Sequence, residues 1–257
     1  MPATHRPNFR VVCDALPVDD RLASAVLDNA RWCDTICTAL GQPGRFETDA
    51  WVSPIRTPRG YPDAVTLVMG ASADRVVARI DSSPGSSVKD SFADVDLSGH
   101  GFRILFEASW LWRNASASAA GDVTDPIRWH RVQDAVELGD WGAVHGGGAL
   151  FSPTLLELPS VHVLSAEDPN GQRIAGSIAT VGTAAVGISN TFATTGATTV
   201  GGTVQEQFAR VFRSATAAIQ AAFPNVPIVG YLDADRVGVA LAAGYEITGR
   251  LRVWVRD

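Results

Sequence analysis

Apolar residues recur at steps of three and four near the start of the chain, which is the period of an amphipathic helix. The residues on this face are Leu22, Val26, Cys33, Cys37 and Leu40. We predict a helix from Asp19 to Leu40, because Gly41 and Pro43 follow directly and both residue types end helices. Since two cysteines share the apolar face, we expect both thiols in the core.

Short apolar runs bounded by turn residues predict strands in the rest of the first half, with a short helix among them. In chain order, these segments are strands over Trp51–Ile55 and Ala64–Val68, a helix over Ser72–Arg79, and strands over Val88–Val95 and Phe102–Trp112. Residues 96–101 are turn formers, so we expect the last two strands to pair as an antiparallel hairpin. Lys89 and Asp90 are neighbours on the first of these strands, where we expect an ordinary exposed pair facing opposite ways.

The second half shows a clearer order of elements. A helical face within 132–141 precedes three antiparallel strands, a loop rich in Gly and Thr over 194–203, and the most strongly amphipathic helix of the chain. A strand, a helix and a hairpin follow. The later segments are strands over Val161–Ala166, Arg173–Thr180, Ala185–Ala193 and Ile228–Leu232, helices over Val204–Ala222 and Asp233–Ala243, and a hairpin of Tyr245–Thr248 with Leu251–Val255 around Gly249 and Arg250.

A run of small and polar residues separates the two halves. It covers residues 114–126 and has the composition of an inter-domain linker. We therefore predict a first domain over 1–113 and a second over 127–257.

Composition narrows the classes of partner. Hydrophobic residues make up 46% and charged residues 19% of the chain, which is typical of a folded protein. The 21 basic and 27 acidic side chains give a net charge of -6. Such a charge does not attract phosphate backbones or anionic lipid, so we expect neither nucleic acid nor a membrane as partner.

Three further features concern location and metal. No apolar run approaches the roughly 20 residues that span a bilayer, and the first residues lack the apolar stretch of a signal peptide, so we expect a cytoplasmic protein. The chain has three cysteines and no second cluster of Cys or His near Cys33 and Cys37, so we expect no metal. Lys89 is the only lysine, and we attribute the excess of arginine to coding bias.

The order of elements in the second half resembles that of the GCN5-related N-acetyltransferases over roughly residues 127–257. Three segments carry the resemblance: Gly171–Thr180, Ser189–Phe192 and Ala242–Trp254. The first half resembles an incomplete copy, in which 88–110 corresponds to the closing hairpin and Gly101-Phe102 takes the place of Gly244-Tyr245. The resemblance implies an α+β chain of two mixed, mostly antiparallel sheets flanked by helices and packed as a pseudo-dimer.

A glycine-rich loop that opens a helix leaves backbone N–H groups unpaired at the positive end of the helix dipole, which suits a diphosphate. The donors nearest the long helix are Gly201, Gly202 and Thr203. The resemblance implies acetyl-coenzyme A or another acyl-coenzyme A as co-substrate, with its pantetheine arm along Ser189, Asn190 and Thr191. A helix cap without any ligand is the alternative. Asp235 at the start of the last helix is a further candidate for cofactor contact, although acidic residues there commonly cap the helix.

Acyl transfer to an amine needs a neutral amine, a polarised carbonyl and a proton for the departing thiolate. The resemblance implies a strand carboxylate and a helix tyrosine for these tasks, but the third strand has no carboxylate and Val239 or Ala240 occupies the tyrosine position. Three other residues are candidates. Tyr231 carries a proton donor, His145 is either a general base or an exposed residue of a flexible glycine-rich segment, and Glu157 is either a buried acid or a surface residue.

The function implied by the resemblance is acyl-coenzyme A-dependent N-acyl transfer, with acetyl transfer to a small-molecule amine as the simplest case. Two alternatives stay open at this point. One is an enzyme of specialised metabolism that uses the same scaffold for lyase or hydrolase chemistry, since fold does not fix function. The other is a non-catalytic module that binds a ligand. The expected partner is a small molecule, and the sequence leaves formation of a homodimer open.

Overall fold

A computed structural model describes residues 19–115, 117, 127–168, 171–194 and 203–257. Five α-helices and eleven strands lie within these ranges. The helices are α1 (Asp20–Ala39), α2 (Ala73–Val77), α3 (Ala135–His145), α4 (Val204–Ala222) and α5 (Val237–Ala242). The strands are β1 (Arg45–Phe46), β2 (Ala50–Val52), β3 (Ala64–Thr66), β4 (Ser87–Asp90), β5 (Phe102–Arg113), β6 (Arg128–Arg131), β7 (Val161–Glu167), β8 (Arg173–Val181), β9 (Val186–Ala193), β10 (Ile228–Asp233) and β11 (Glu246–Arg256).

The strands form one continuous mixed sheet, mostly antiparallel and flanked by helices. Its order is β1-β2-β3-β4-β11-β5-β10-β9-β8-β7-β6. The expected α+β class is confirmed, but the strands form one sheet where two were expected. β11 lies between β4 and β5, and β5 lies between β11 and β10, so the closing strand of each half pairs with strands of the other half. The division into two domains stays a prediction.

Neither predicted hairpin of the closing strands forms. β4 and β5 are separated by β11, and the segment that was expected to turn at Gly249 and Arg250 is one strand with a bulge between Ile247 and Gly249. Pairing with β5 continues on both sides of this bulge, and α1 packs against the strand there, since a Cβ at Gly249 would lie 2.9 Å from the Cδ1 atom of Leu22. Gly249 therefore allows a close helix contact and does not make a turn.

The helices cover the two faces of the sheet. α1 packs on one face against alternate residues of the central strands, including Trp110, Trp112 and Leu251. α4 and α5 pack on the other face, against Leu111 and Ile228. The alternation of Leu111 with its two tryptophan neighbours follows from the two-residue period of a strand. Both faces of the sheet are therefore covered along the second half of β5, from Ala108 to Arg113, whereas residues 103–107 of the same strand are exposed.

Two glycines occupy equivalent positions at the starts of the central strands. Gly101 and Gly244 have φ values of 77° and 81°, in the left-handed region that glycine adopts without strain. The next residues, Phe102 and Tyr245, are both buried. The two pairs thus share a backbone conformation and burial, while the resemblance of the first half to an incomplete copy stays a prediction.

The helix predictions from periodicity are confirmed for the two long helices. Asp19 caps α1 and accepts a hydrogen bond from the Arg21 N–H at 2.9 Å. The predicted strand over Val88–Val95, in contrast, ends at Asp90. The Asp90 carboxylate accepts hydrogen bonds from the N–H groups of residues 92, 94 and 95, which turns the chain out of the sheet. No described helix is long and apolar enough to cross a bilayer.

Candidate functional site

Two neighbouring parallel strands of the sheet separate after a short paired stretch. β9 and β10 pair only where Val186 faces Ile228 and where Gly187 faces Val229. On the other side of β9, the register with β8 shifts between Gly176 and Ile178, which indicates a bulge. We call the point where β9 and β10 part the fork.

Asn190 lies in this bulge with a φ of 51°, a value that few non-glycine residues adopt. Within the described ranges, neither Asn190 nor Thr191 has a register partner in β8 or β10. The Asn190 amide donates to the Ser189 hydroxyl at 3.0 Å. The strained backbone turns β9 away from β10, and this is how the fork opens.

A cavity of about 610 Å³ occupies the fork. Its walls come from both strands, from α4 on one side, and from α1 and the loop of residues 59–62 on the other. Ser189, Asn190 and Thr191 all line it, as does Tyr231 of β10. The polar end of β9 therefore lies at a cavity large enough for a ligand, as predicted. Contact of these residues with a cofactor stays a prediction.

The start of α4 differs in part from the expectation. Gly201 and Gly202 lie outside the described residues. Thr203 is the N-cap and forms a capping box: its N–H donates to the Glu206 carboxylate at 2.7 Å, and the Glu206 N–H donates to the Thr203 hydroxyl at 3.2 Å. These hydrogen bonds lower the pKa of Glu206. The Thr203 N–H that was expected to face a diphosphate thus faces a carboxylate of its own helix.

Asp235 lies at the edge of the same cavity and is exposed. Its backbone carbonyl accepts a hydrogen bond from the Gln205 side chain at 3.4 Å, which links the start of α4 to the turn before α5. Arg236, the next residue, lines the cavity with its guanidinium 4.6 Å from the centre of the Phe208 ring. Asp233 lines the same side and lies 4.0 Å from the Arg236 guanidinium, so this side of the cavity presents two acidic side chains and one basic side chain to solvent.

His145 is placed differently from the prediction. It is the last residue of α3 and is half-buried, where a flexible segment with an exposed imidazole was expected. The imidazole stacks on Trp141 with 5.2 Å between ring centres, and the edges of Phe151 and Phe192 contact it. Burial lowers the pKa of His145, so the neutral form is favoured at pH 7. Its Nδ1 atom is buried without a hydrogen-bond partner in the described chain.

Tyr231 and His145 line the same cavity, whereas Glu157 does not. Tyr231 is half-buried, and its ring meets the edge of Trp110 at 5.5 Å between centres. Glu157 is exposed at the end of a 3-10 helix over Pro153–Glu157. The structure thus brings together two of the three candidate catalytic residues. Of the two alternatives for Glu157, a buried acid or a surface residue, the structure shows the surface residue.

Lys89 is a cavity residue that the sequence reasoning missed. Its side chain is 3% exposed, and its Nζ atom donates to the Asn29 side-chain oxygen at 2.8 Å and lies 4.1 Å from the centre of the Tyr231 ring. Asp90 is 0% exposed, so the expectation of an exposed pair is wrong. The sequence did carry one signal for Lys89, because it is the single lysine of the chain and all the remaining Lys and Arg positions are arginine.

A second cavity, of about 670 Å³, adjoins the first. Tyr61, Lys89, Phe106 and Tyr231 line both cavities, so the two meet at these side chains. The Tyr61 hydroxyl is buried near the side-chain donors of Asn190 and Trp32, and no residue within the described ranges accepts its proton. Burial raises its pKa, which keeps the phenol protonated. No group of three or more potential metal ligands occurs among the described residues.

Comparison with known proteins identifies the fold. No protein-family model matches the sequence, and no curated protein does either. A GCN5-related N-acetyltransferase from Kribbella flavida has a similar structure, with a TM-score of 0.62 and 13% identity over 89% of this chain and 95% of that one. A conserved protein of unknown function from Staphylococcus epidermidis gives a TM-score of 0.58 and 12% identity over 83% of this chain and 92% of that one. A GNAT-family protein from Novosphingobium aromaticivorans gives a TM-score of 0.50 and 9% identity over 90% and 99%.

Proposed function

We propose that this chain, which has the fold of the GCN5-related N-acetyltransferases, transfers an acyl group from acyl-coenzyme A to the amine of a small molecule. The observation that carries the proposal is the fork between β9 and β10, with the bulge at Asn190 and the cavity of about 610 Å³ beside it. A fork in a sheet supplies backbone N–H groups that no neighbouring strand uses. Such groups bind and polarise a carbonyl oxygen.

The reaction needs one bond to form and one to break. The amine nitrogen attacks the thioester carbonyl, whose oxygen lies against the backbone of Ser189–Thr191, and the carbon–sulfur bond then breaks. His145 is neutral because its site is buried, so its imidazole accepts the proton that the amine loses. Tyr231 gives its phenolic proton to the departing thiolate. Holding the two substrates in adjoining cavities supplies a further part of the rate.

Acetyl transfer to a small-molecule amine is the simplest form of this activity. The cavities of about 610 and 670 Å³ adjoin one another, and aromatic side chains such as Tyr61, Phe106 and Tyr231 line both, next to charged and polar groups. The half-buried imidazole of His145 and the half-buried phenol of Tyr231, which line the same cavity, favour a catalytic chain over the alternative of a module that only binds.

A pair of substitutions at Asn190 tests the fork. Glycine adopts a positive φ without strain, whereas valine, with its branched Cβ, does not. We expect acetyl-coenzyme A to raise the melting temperature of the wild type and of Asn190→Gly, and to leave that of Asn190→Val nearly unchanged. The melting temperature without ligand checks that both variants fold. Equal shifts in the two variants, or no shift in the wild type at millimolar ligand, would contradict the proposal.

A further inference from the structure

We propose that the amine acceptor carries a carboxylate, and that Lys89 binds this carboxylate where the two cavities meet. This inference rests on the proposed function, because it names the class of acceptor for the same site. It assigns an apolar, preferably aromatic, body to the acceptor and a single negative charge near its amine.

The first observation is the electrostatic situation of Lys89. Its Nζ atom is buried, with the Asn29 oxygen at 2.8 Å and the face of Tyr231 at 4.1 Å as its neighbours. No ion pair joins it to a carboxylate in the part of the chain that the structure describes. A buried ammonium is costly unless a counter-charge accompanies it, and one amide oxygen with one aromatic face compensates only part of that cost. A ligand that brings a carboxylate supplies the missing charge.

The carboxylate next to Lys89 in the sequence and the one in the wall of the second cavity are already engaged. Asp90 accepts three backbone N–H groups of its own turn. Asp63 lines the second cavity, where its oxygens accept from Thr57 and Ser87 and pair with Arg56. Neither therefore serves Lys89, whose remaining N–H groups are free to meet a ligand.

The second observation is the polar group beside this lysine. Tyr61 lines both cavities, and its buried hydroxyl oxygen lies near the side-chain donors of Asn190 and Trp32, while no described residue accepts its proton. It stays protonated because burial disfavours the phenolate, so it is a donor that seeks an acceptor. Arg59, exposed two residues earlier, lines the rim of both cavities and adds positive charge at the entrance. One buried ammonium, one buried hydroxyl and one rim guanidinium together suit an anion.

The third observation is the position of these groups relative to the fork. Lys89 and Tyr231 lie at the junction, so a molecule in the second cavity reaches the fork by passing them. The wall of that cavity also has an apolar part, formed by Leu105, Val253 and Val255, beside the polar part that Arg56 and Asp63 form. An acceptor with an apolar body in this cavity and a carboxylate at Lys89 thus presents a neighbouring amine to the acyl group.

A pair of probes without an amine tests the inference separately from acyl transfer. 3-Phenylpropanoate and 3-phenylpropanamide have the same shape and differ in charge. We expect calorimetric titration of the wild type to show at least about tenfold tighter binding of the acid than of the amide, which is 1.4 kcal/mol. Lys89→Met keeps the aliphatic stem and should lose this preference. Arg45→Met removes one charge from exposed strand β1, outside both cavities, and should keep it.

Each result of this experiment decides the inference. Equal binding of acid and amide by the wild type, no binding of either at millimolar concentration, or an unchanged preference in Lys89→Met overturns it. If Lys89→Met does not fold, the ratio of the two wild-type affinities decides alone. Thermal shifts with acetyl-coenzyme A, measured on the same samples, report on the proposed function. A carboxylate preference without any such shift supports the anion site and rejects acyl transfer, whereas the reverse result rejects only the anion site.

Discussion

Asp28 places an ionisable group at the base of the fork, and it makes folding stability depend on pH. Its carboxyl accepts a hydrogen bond from the Thr180 hydroxyl at 3.1 Å and lies directly over Gly187, where any Cβ would overlap it. Gly187 is the last β9 residue that pairs with β10. The side chain is half-buried between α1 and the sheet, and the loss of solvent there raises its pKa from 3.8 to about 7, against the smaller opposing effects of Thr180 and Arg31.

The sign of the effect follows from which state holds the proton. Between pH 3.8 and about 7, the folded chain keeps Asp28 protonated while the unfolded chain releases the proton, so rising pH favours unfolding. Above the pKa of Asp28 in the folded chain, the free energy of unfolding does not fall further from this cause. Each pH unit between the two pKa values lowers the free energy of unfolding by about 1.4 kcal/mol, so the whole loss is at most about 4 kcal/mol. Slightly more than half of this loss, roughly, falls between pH 5 and pH 8.

Urea denaturation of the wild type and of Asp28→Asn at pH 5 and pH 8 measures how much the ionisation of Asp28 lowers the free energy of unfolding. Asparagine has the same shape, accepts from Thr180 in the same way and does not ionise. We expect the free energy of unfolding of the variant, relative to that of the wild type, to be about 2 kcal/mol higher at pH 8 than at pH 5. Asp140→Asn, an exposed change on α3, is the matched control and should show no such gain. A pH-independent difference between Asp28→Asn and the wild type would refute the reasoning.

Two further changes test the central strands and the chemistry. Gly249→Ala should lower the free energy of unfolding by about 1 to 3 kcal/mol, because its Cβ would lie 2.9 Å from Leu22, and Leu22→Ala in the same chain should restore part of that loss in urea denaturation. A loss that Leu22→Ala leaves untouched would point to backbone strain as the cause. Tyr231→Phe keeps the ring beneath Lys89 and removes the phenolic proton, so kcat for acyl transfer should fall by about 10² or more with little change in the KM for acetyl-coenzyme A. Unchanged kcat would remove Tyr231 from the reaction.

The sequence by itself determined the elements whose signals are local. Residues on the same face of α1 and of α4 lie within a turn of one another along the chain, so their period is visible without any knowledge of neighbours. The order of strands, loop and helix in the second half is equally local, and it was enough to indicate the fold. The polar end of β9 was placed at a site by the family resemblance and not by a local period, and Ser189–Thr191 lie within β9 itself.

Only the tertiary structure decided how the strands are shared and what the cavity contains. Gly249 has the sequence signal of a turn, but a contact with Leu22, more than two hundred residues away in the chain, makes it a bulge in a long strand. Lys89 and His145 were expected at the surface, and they are drawn inside by partners from other elements, Asn29 and Phe192 among them. Strand partners and burial depend on such long-range contacts, which no local period in the sequence encodes.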